Sequence, residues 1–304
     1  MAEQAGRHSA VLALREAPGH LIRCAQQRHT LLWTQEFGGD LTGPQYAVIS
    51  AIGSDHGLDQ RAVGRRASLD KSSTANVVAR LEGQGWLRLA KDPADRRRTS
   101  LSLTPVARAA LSEVTRRAGA VQERLLAPVP EARREPFVAA LRRVAFEGDP
   151  PPPGSAHAQV LDLGDTPGHL IRRAQQVHTT AWGAEVGRTM TAPQYAVLSA
   201  LWDHPDGIDQ GAAAELASID TSSMVDIVRR LATRDRVTST RAPADARRRR
   251  LHLTDTARHE LAGLTPAVQR VQELLLRPLD SADQRRTLLD GLRALAFATA
   301  DATP

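Results

Sequence analysis

The sequence predicts a mainly α-helical protein with small β-hairpins, built as two copies of one domain. Three observations carry this. Apolar residues recur at helical spacing through most of the 304-residue chain. Short alternating segments flank each of two turns crowded with arginine. The chain also says nearly everything twice, since 8–146 matches 157–297. Pro18-Gly19-His20-Leu21-Ile22-Arg23 returns as Pro167-Gly168-His169-Leu170-Ile171-Arg172, and Pro44-Gln45-Tyr46-Ala47-Val48 as Pro193-Gln194-Tyr195-Ala196-Val197. The offset is 149 residues, then 150 after an insertion between Asp203 and Gly207. A period this long marks a duplicated domain rather than a solenoid unit.

In the first copy, Leu21, Ile22, Ala25, Leu32 and Trp33 place a helix over about 18–33, and a second follows Pro44. Asp59 is a good N-cap for a short helix through Arg61 to Ala67, because its carboxylate can accept from an orphan N–H of the first turn. Asp70 caps the next helix, whose Val77, Val78 and Leu81 form an apolar stripe. Gly83 and Gly85 end it, since glycine tolerates the left-handed backbone of a helix stop. Leu87 and Leu89 then alternate around Arg88, and Leu101 and Leu103 alternate after the turn Asp92-Pro93-Ala94-Asp95-Arg96-Arg97-Arg98. Thr104-Pro105 opens a long helix carrying Leu111, Val114, Val121 and Leu125. A last helix over about 131–146 holds Phe137, Leu141 and Val144. The second copy starts its helices near Pro167, Pro193, Asp209, Asp220, Thr254 and Ser281. Copy one is expected over 8–148 and copy two over 157–300. The proline-rich linker at 149–156 is a semi-rigid spacer, because consecutive prolines cannot propagate a helix.

A helix pair followed by a basic-tipped hairpin is a winged helix-turn-helix, whose plainest use is to hold double-stranded DNA. The segment 58–104 resembles the DNA-binding region of the MarR (multiple antibiotic resistance regulator) family. The resemblance rests on Leu41-Thr42-Gly43-Pro44-Gln45-Tyr46, on Leu81-Glu82-Gly83-Gln84-Gly85-Trp86, and on Asp92-Pro93-Ala94-Asp95-Arg96-Arg97 followed by Leu103-Thr104. In that family the first and last helices of two identical subunits interleave. Here the resemblance implies two winged helix-turn-helix domains that form an intramolecular pseudo-dimer through their terminal helices, so that one chain is the whole dimer. The linker would hold one half near the other at an effective concentration of ~mM or above.

A recognition helix needs short polar or basic side chains on its outward N-terminal face. In copy one these are Lys71, Ser72, Ser73, Asn76 and Arg80, and in copy two Thr221, Ser222, Ser223, Asp226 and Arg230. Asn76 suits adenine and Asp226 suits a cytosine amino group, so the halves are expected to read different half-sites of an imperfect palindrome about 10 base pairs apart. Arg96, Arg97 and Arg98, matched in part by Arg247, Arg248 and Arg249, suit a narrow minor groove. Asp95 and Asp245 are expected to orient neighbouring arginines.

Many members of the family release DNA when a small molecule, often an aromatic acid, fills a cleft beside the first helix. The resemblance places that effector site at His20, Arg23, Gln27, His29 and Trp33, and at His169, Arg172, Gln176, His178 and Trp182. Arginine can fork onto a carboxylate, histidine can bond a phenol, and tryptophan offers an apolar wall. The bland alternative is that these residues pack an interface helix.

Composition narrows the rest. The chain is 41% hydrophobic, enough to bury cores, with a net charge of +6 held almost wholly by arginine. No apolar run approaches the ~18 residues a membrane helix needs. The first ten residues lack a signal peptide's apolar core. The lone Cys24 fits a reducing cytoplasm and has no resolving partner, so a plain thiol is expected rather than a sensor. No phosphate loop, nucleophile elbow, catalytic carboxylate pair or zinc spacing appears, so neither enzyme, cofactor nor metal is expected. The expected function is a cytoplasmic, ligand-released transcriptional repressor acting as a monomeric pseudo-dimer. The alternative is a ligand-binding or protein-interaction module whose second half has lost DNA recognition.

Overall fold

The computed structural model describes residues 11–54, 57–91, 99–152, 159–242 and 245–298, with backbone alone at 241, 242 and 245–248. Among them lie twelve α-helices and five strands. The first repeat forms α1 (Pro18–Phe37), α2 (Gly43–Ser54), α3 (Gln60–Ala67), α4 (Lys71–Gly83), β1 (Leu87–Lys91), β2 (Thr99–Leu103), α5 (Pro105–Leu126) and α6 (Glu131–Ala145). The second forms α7 (Pro167–Glu185), α8 (Ala192–Trp202), β3 (Ile208–Asp209), α9 (Gln210–Leu216), α10 (Thr221–Thr233), β4 (Val237–Ala242), β5 (Asp245–Leu253), α11 (Asp255–Leu276) and α12 (Ala282–Ala296).

The helix starts follow the caps. Asp59, Asp70, Thr104, Asp209, Asp220 and Thr254 each accept a backbone N–H of the first turn, satisfying a donor with no intrahelical partner. Gly85 follows α4 with a φ of +77°, a conformation that suits glycine. α1 runs past the expected end at Trp33 to Phe37, and stops at Gly38 with a φ of +61°. β1 and β2 pair antiparallel with Leu87 opposite Leu103 and Lys91 opposite Thr99. β5 pairs with β4 and also with the two-residue β3, which the alternation pattern does not reveal.

Two compact units emerge, and they are not the two repeats. One joins residues through Cys24 to Gln176–Arg277; the other joins Ala25–Gln175 to the residues from Pro278 onward. In the first, Val11, Trp182, Met190, Tyr195, Leu198, Leu231, Leu253, Leu261 and Val271 share one core. Ser199 Oγ donates to Leu12 O at its edge. In the second, Trp33 stacks on Phe37 at 4.8 Å and tilts against Tyr46. Ile49, Leu81, Leu101, Leu125, Phe137 and Leu141 of the same unit are almost fully buried. Ser50 Oγ donates to Leu161 O, so a segment of the second repeat is tied to α2. α6 packs on α12, with the ring of Phe137 seated where Gly291 leaves no Cβ. Each unit therefore contains helices from both repeats, as the interleaved pattern requires.

Candidate nucleic-acid interface and effector cavity

The recognition helices separate packing from display. On α4, Thr74, Val78 and Leu81 are buried, while Lys71, Ser72, Asn76 and Arg80 are exposed and Ser73 is half-buried. Asp70 accepts from the hydroxyls of Ser72 (2.7 Å) and Ser73 (2.6 Å) and from the Ser73 N–H. Those donors, the Ser73 hydroxyl foremost, hold its carboxyl far below the usual carboxylate range. The two serines thus brace the cap and keep only their remaining lone pairs for other partners. On α10, Met224 and Leu231 face inward, and Thr221, Ser222, Ser223, Asp226 and Arg230 are exposed. Ser222 again donates to the cap, Asp220. Asp226 is paired with Arg229 at 2.7 Å, a contact that sequence reading missed although the two stand one turn apart.

Arg96, Arg97, Arg98, Asp92 and Asp95 lie outside the described residues. In the second repeat Arg247, Arg248 and Arg249 fall on β5. Arg249 is exposed and its Nε donates to Ser239 Oγ at 2.9 Å, while Arg250 reaches Asp206 O. Of Asp245 only the backbone is described. Arg61 and Arg65, one turn apart on α3 and both exposed, escaped notice; with Lys71 they bound a groove between α3 and α4. Their i, i+4 spacing is the signal that could have found them.

Inside the second unit lies a cavity of about 140 Å³. His29 and Trp33 of α1, Tyr46 of α2, Gln122 of α5, and Gly168, His169 and Arg172 of α7 line it. Four predicted residues, His29, Trp33, His169 and Arg172, therefore meet across the repeats. Gln27 and Gln176 do not join them: both are exposed. Gln26 lines the wall instead, because it shares a helical face with His29, Thr30 and Trp33, whereas the next residue points away. Gln26, not the expected Gln27, therefore lines this cavity, by helical phase alone.

The polar groups of this cavity are tightly arranged. Trp33 Nε1 donates to Leu41 O at 2.6 Å, and the Gly168 N–H donates to Gln122 Oε1 at 2.8 Å. Arg172 donates to Ser68 O at 2.8 Å and to Ala67 O, and lies 3.0 Å from His169 Nδ1. Ala67 and Ser68 form the end of α3, where Ser68 takes a left-handed φ of 52°. The guanidinium thus caps the helix-turn-helix from the cavity side, and among the described residues no carboxylate neutralises it. Burial, then Arg173, pushes Arg172 down to about 10. The Nε2 of His29 is buried without a hydrogen-bond partner. Burial first, and Arg172 second, pushes His29 down to about 4. His169 is held well below its ordinary value by burial, then by Arg172, Arg173 and His29.

The other unit repeats the constellation. Arg23 donates to Ser218 O at 2.6 Å and to Ala217 O at the end of α9, with His20 Nδ1 at 3.0 Å. Burial pushes His20 to about 3 and His178 to about 4, with Arg23 adding to both. Trp182 Nε1 donates to Met190 O. Cys24 is buried, and burial pushes its thiol up against the opposing pull of Ser218 and Arg23, the reverse of what an activated thiolate needs.

A model of the MarR family matches residues 39–98, and a second matches 190–248. Transcriptional regulator HosA of Escherichia coli O111:H- is 35% identical over 133 residues, which are 44% of this chain and 98% of HosA. The chain belongs to the MarR family. It carries two MarR domains in tandem, and HosA spans about one of them. The HTH-type transcriptional repressor NicR of Pseudomonas putida is 34% identical over 91 residues, 29% of this chain and 57% of NicR. The crystal structure of PcaV from Streptomyces coelicolor with its natural ligand aligns at 38% identity and a TM-score of 0.44, covering 46% of this chain and 97% of PcaV. This MarR protein is accordingly a transcriptional regulator of mainly helical, winged helix-turn-helix build. No described helix is long and apolar enough to cross a membrane.

Proposed function

We propose that this regulator is a repressor that grips an imperfect palindromic operator as a single-chain pseudo-dimer, and that a small aromatic acid releases it. The observation that carries the ligand half is Arg172. A half-buried cation held only by carbonyls and a neutral imidazole leaves its charge without a counter-ion, which a ligand carboxylate would supply. The apolar walls of Trp33 and Tyr46 suit a ring, and the unsatisfied Nε2 of His29 suits a hydroxyl or carboxylate oxygen.

Release follows from where Arg172 is anchored. A carboxylate that draws the guanidinium into the cavity withdraws it from the last carbonyls of α3. The recognition helix α4 follows that turn directly, so its position is coupled to occupancy. Arg23 stands in the same relation to α9. The DNA half is supported by the outward faces of α4 and α10 and by the hairpin arginines, with the domains expected over 8–148 and 157–300 and joined by 149–156.

Fluorescence anisotropy of the full chain with its own promoter DNA tests the reading, followed by titration with a panel of benzoic and phenolic acids. Saturable binding with release by at least one acid is expected. Binding that no acid perturbs would sink the ligand half, and absence of binding the DNA half. One observation favours a second reading, a ligand-binding module with degenerate DNA recognition in copy two: Glu215 and Asp226 are exposed on its helix-turn-helix.

A further inference from the structure

The two helix-turn-helix elements keep the same caps and cores but display different chemistry. Residues 59–84 hold five cations against three carboxylates; the matching 209–234 hold three against four. The local formal charge therefore moves from +2 to −1. Arg61, Arg65 and Lys71, which bound the groove between α3 and α4, are replaced by Gly211, Glu215 and Thr221. Positive charge reappears on the second hairpin, where Arg249 and Arg250 stand exposed in place of Thr99 and Ser100. On the outward face of α10, Val225 replaces Ala75 and is 53% exposed. Beside it Asp226, in place of Asn76, is held by Arg229 at 2.7 Å, where copy one has Ala79.

None of this serves packing. A lone exposed valine is ordinary on a protein surface, but here it stands on the outward face of a recognition helix, where a thymine methyl could cover it. The Arg229 partner offsets the repulsion a lone carboxylate would feel near phosphate. Both residues sit in the first half of the helix, the part that meets base edges in the major groove.

We infer that the chain binds DNA in one fixed orientation on an operator with polarity, because Val225 and Asp226 read a half-site that copy one cannot. This rests on the DNA-binding reading above. Copy one takes its half-site with Lys71 and Asn76, anchored on phosphates by Arg61 and Arg65. Asn76 suits adenine N6 and N7. Copy two is held at the backbone by its hairpin arginines. Val225 covers a thymine methyl, and the Asp226 carboxylate accepts from a cytosine N4 amino group.

Selection of the full chain against a random duplex library tests this, with sequencing of the bound pool. The wild type should enrich two unlike halves, one of them carrying thymine and cytosine at neighbouring positions. The triple variant Thr221→Lys, Val225→Ala, Asp226→Asn should convert that half alone and make the motif palindromic. Each new residue is one the matching position of copy one already carries, so the fold should hold; circular dichroism checks it. Replacing the key thymine by deoxyuridine should weaken wild-type binding about three-fold or more and leave Val225→Ala unchanged. A symmetric wild-type motif, a copy-two half without base preference, or a motif unmoved by the triple variant would each overturn the inference while leaving DNA binding intact. Enrichment of nothing would instead remove the DNA-binding reading itself.

Discussion

Replacing Gly168 by alanine should damage the second unit through one added atom, set against the ring of His29. A Cβ built at Gly168 falls 2.2 Å from Nε2 of His29, 2.5 Å from Cδ2 and 2.6 Å from Cε1. Ordinary contact lies above about 3.4 Å, so the ring must retreat by about 1 Å. It is 7% exposed and its edge rests on Trp33 with centroids 5.6 Å apart, so its open direction is the cavity. Overpacking of this kind costs about 1–3 kcal/mol, against which the helix propensity of alanine returns at most ~1 kcal/mol. The net expectation is a loss of about 1–2 kcal/mol and a narrowed cavity. Urea unfolding of wild type, Gly168→Ala, His29→Ala and the double variant forms a cycle. The double variant should be more stable than the sum of the singles by about 1 kcal/mol or more, since truncating the ring removes the clash. Additive singles, or a Gly168→Ala that costs less than about 0.5 kcal/mol, would refute the contact. Gly19→Ala against His178, 2.3 Å from the built Cβ, is the matched case in the other unit.

Acid should destabilise the fold well before carboxylates titrate. His29 and His178 are pushed from 6.5 to about 4 and His20 to about 3, with His169 shifted the same way. The unfolded chain therefore binds protons the fold excludes, so stability is full above about pH 6.5 and falls toward pH 4 by about 1.4 kcal/mol per histidine per pH unit. Unfolding curves from pH 7.5 to 5 that superimpose would contradict the burial of these rings. Gly291→Ala should loosen α6 from α12, because its Cβ would meet Phe137 Cδ2 at 2.1 Å; a drop of several degrees in Tm by scanning calorimetry is expected. Arg172→Met should abolish the response of the DNA complex to any releasing acid at the second unit's cavity, read as a change in the amplitude of release by anisotropy. Replacing Arg97 and Arg247 together should weaken DNA binding several-fold and flatten its dependence on salt; a gel shift with unchanged affinity and slope would dismiss the hairpins.

Much of this architecture was written in local chemistry. Asp59, Asp70 and Thr104 announced three helix starts because a cap is read from one side chain and its neighbours. The cavity was half legible. His29, Trp33, His169 and Arg172 were recognisable as a repeated set, but that they share one wall depends on α7 lying against α1 within one unit, a pairing no local pattern encodes. Gln27 failed for a subtler reason: the helix period that placed His29 and Trp33 also selects Gln26, and only the phase distinguishes them. The capping of α3 by Arg172 joins groups more than a hundred residues apart, and main-chain carbonyls leave no trace in a sequence. β3 was invisible because two residues cannot alternate.

The division of α1 after Cys24 and of α7 after Gln175 sets an order on the protein's birth. A nascent chain that has emerged through α6 holds one finished set of helices whose covering layer is still being translated. Its companion cannot close until α11 has left the ribosome. A stop codon in the linker would release the first repeat stripped of the second repeat's helices that complete each unit, so its terminal helices would need those of a second copy in their place.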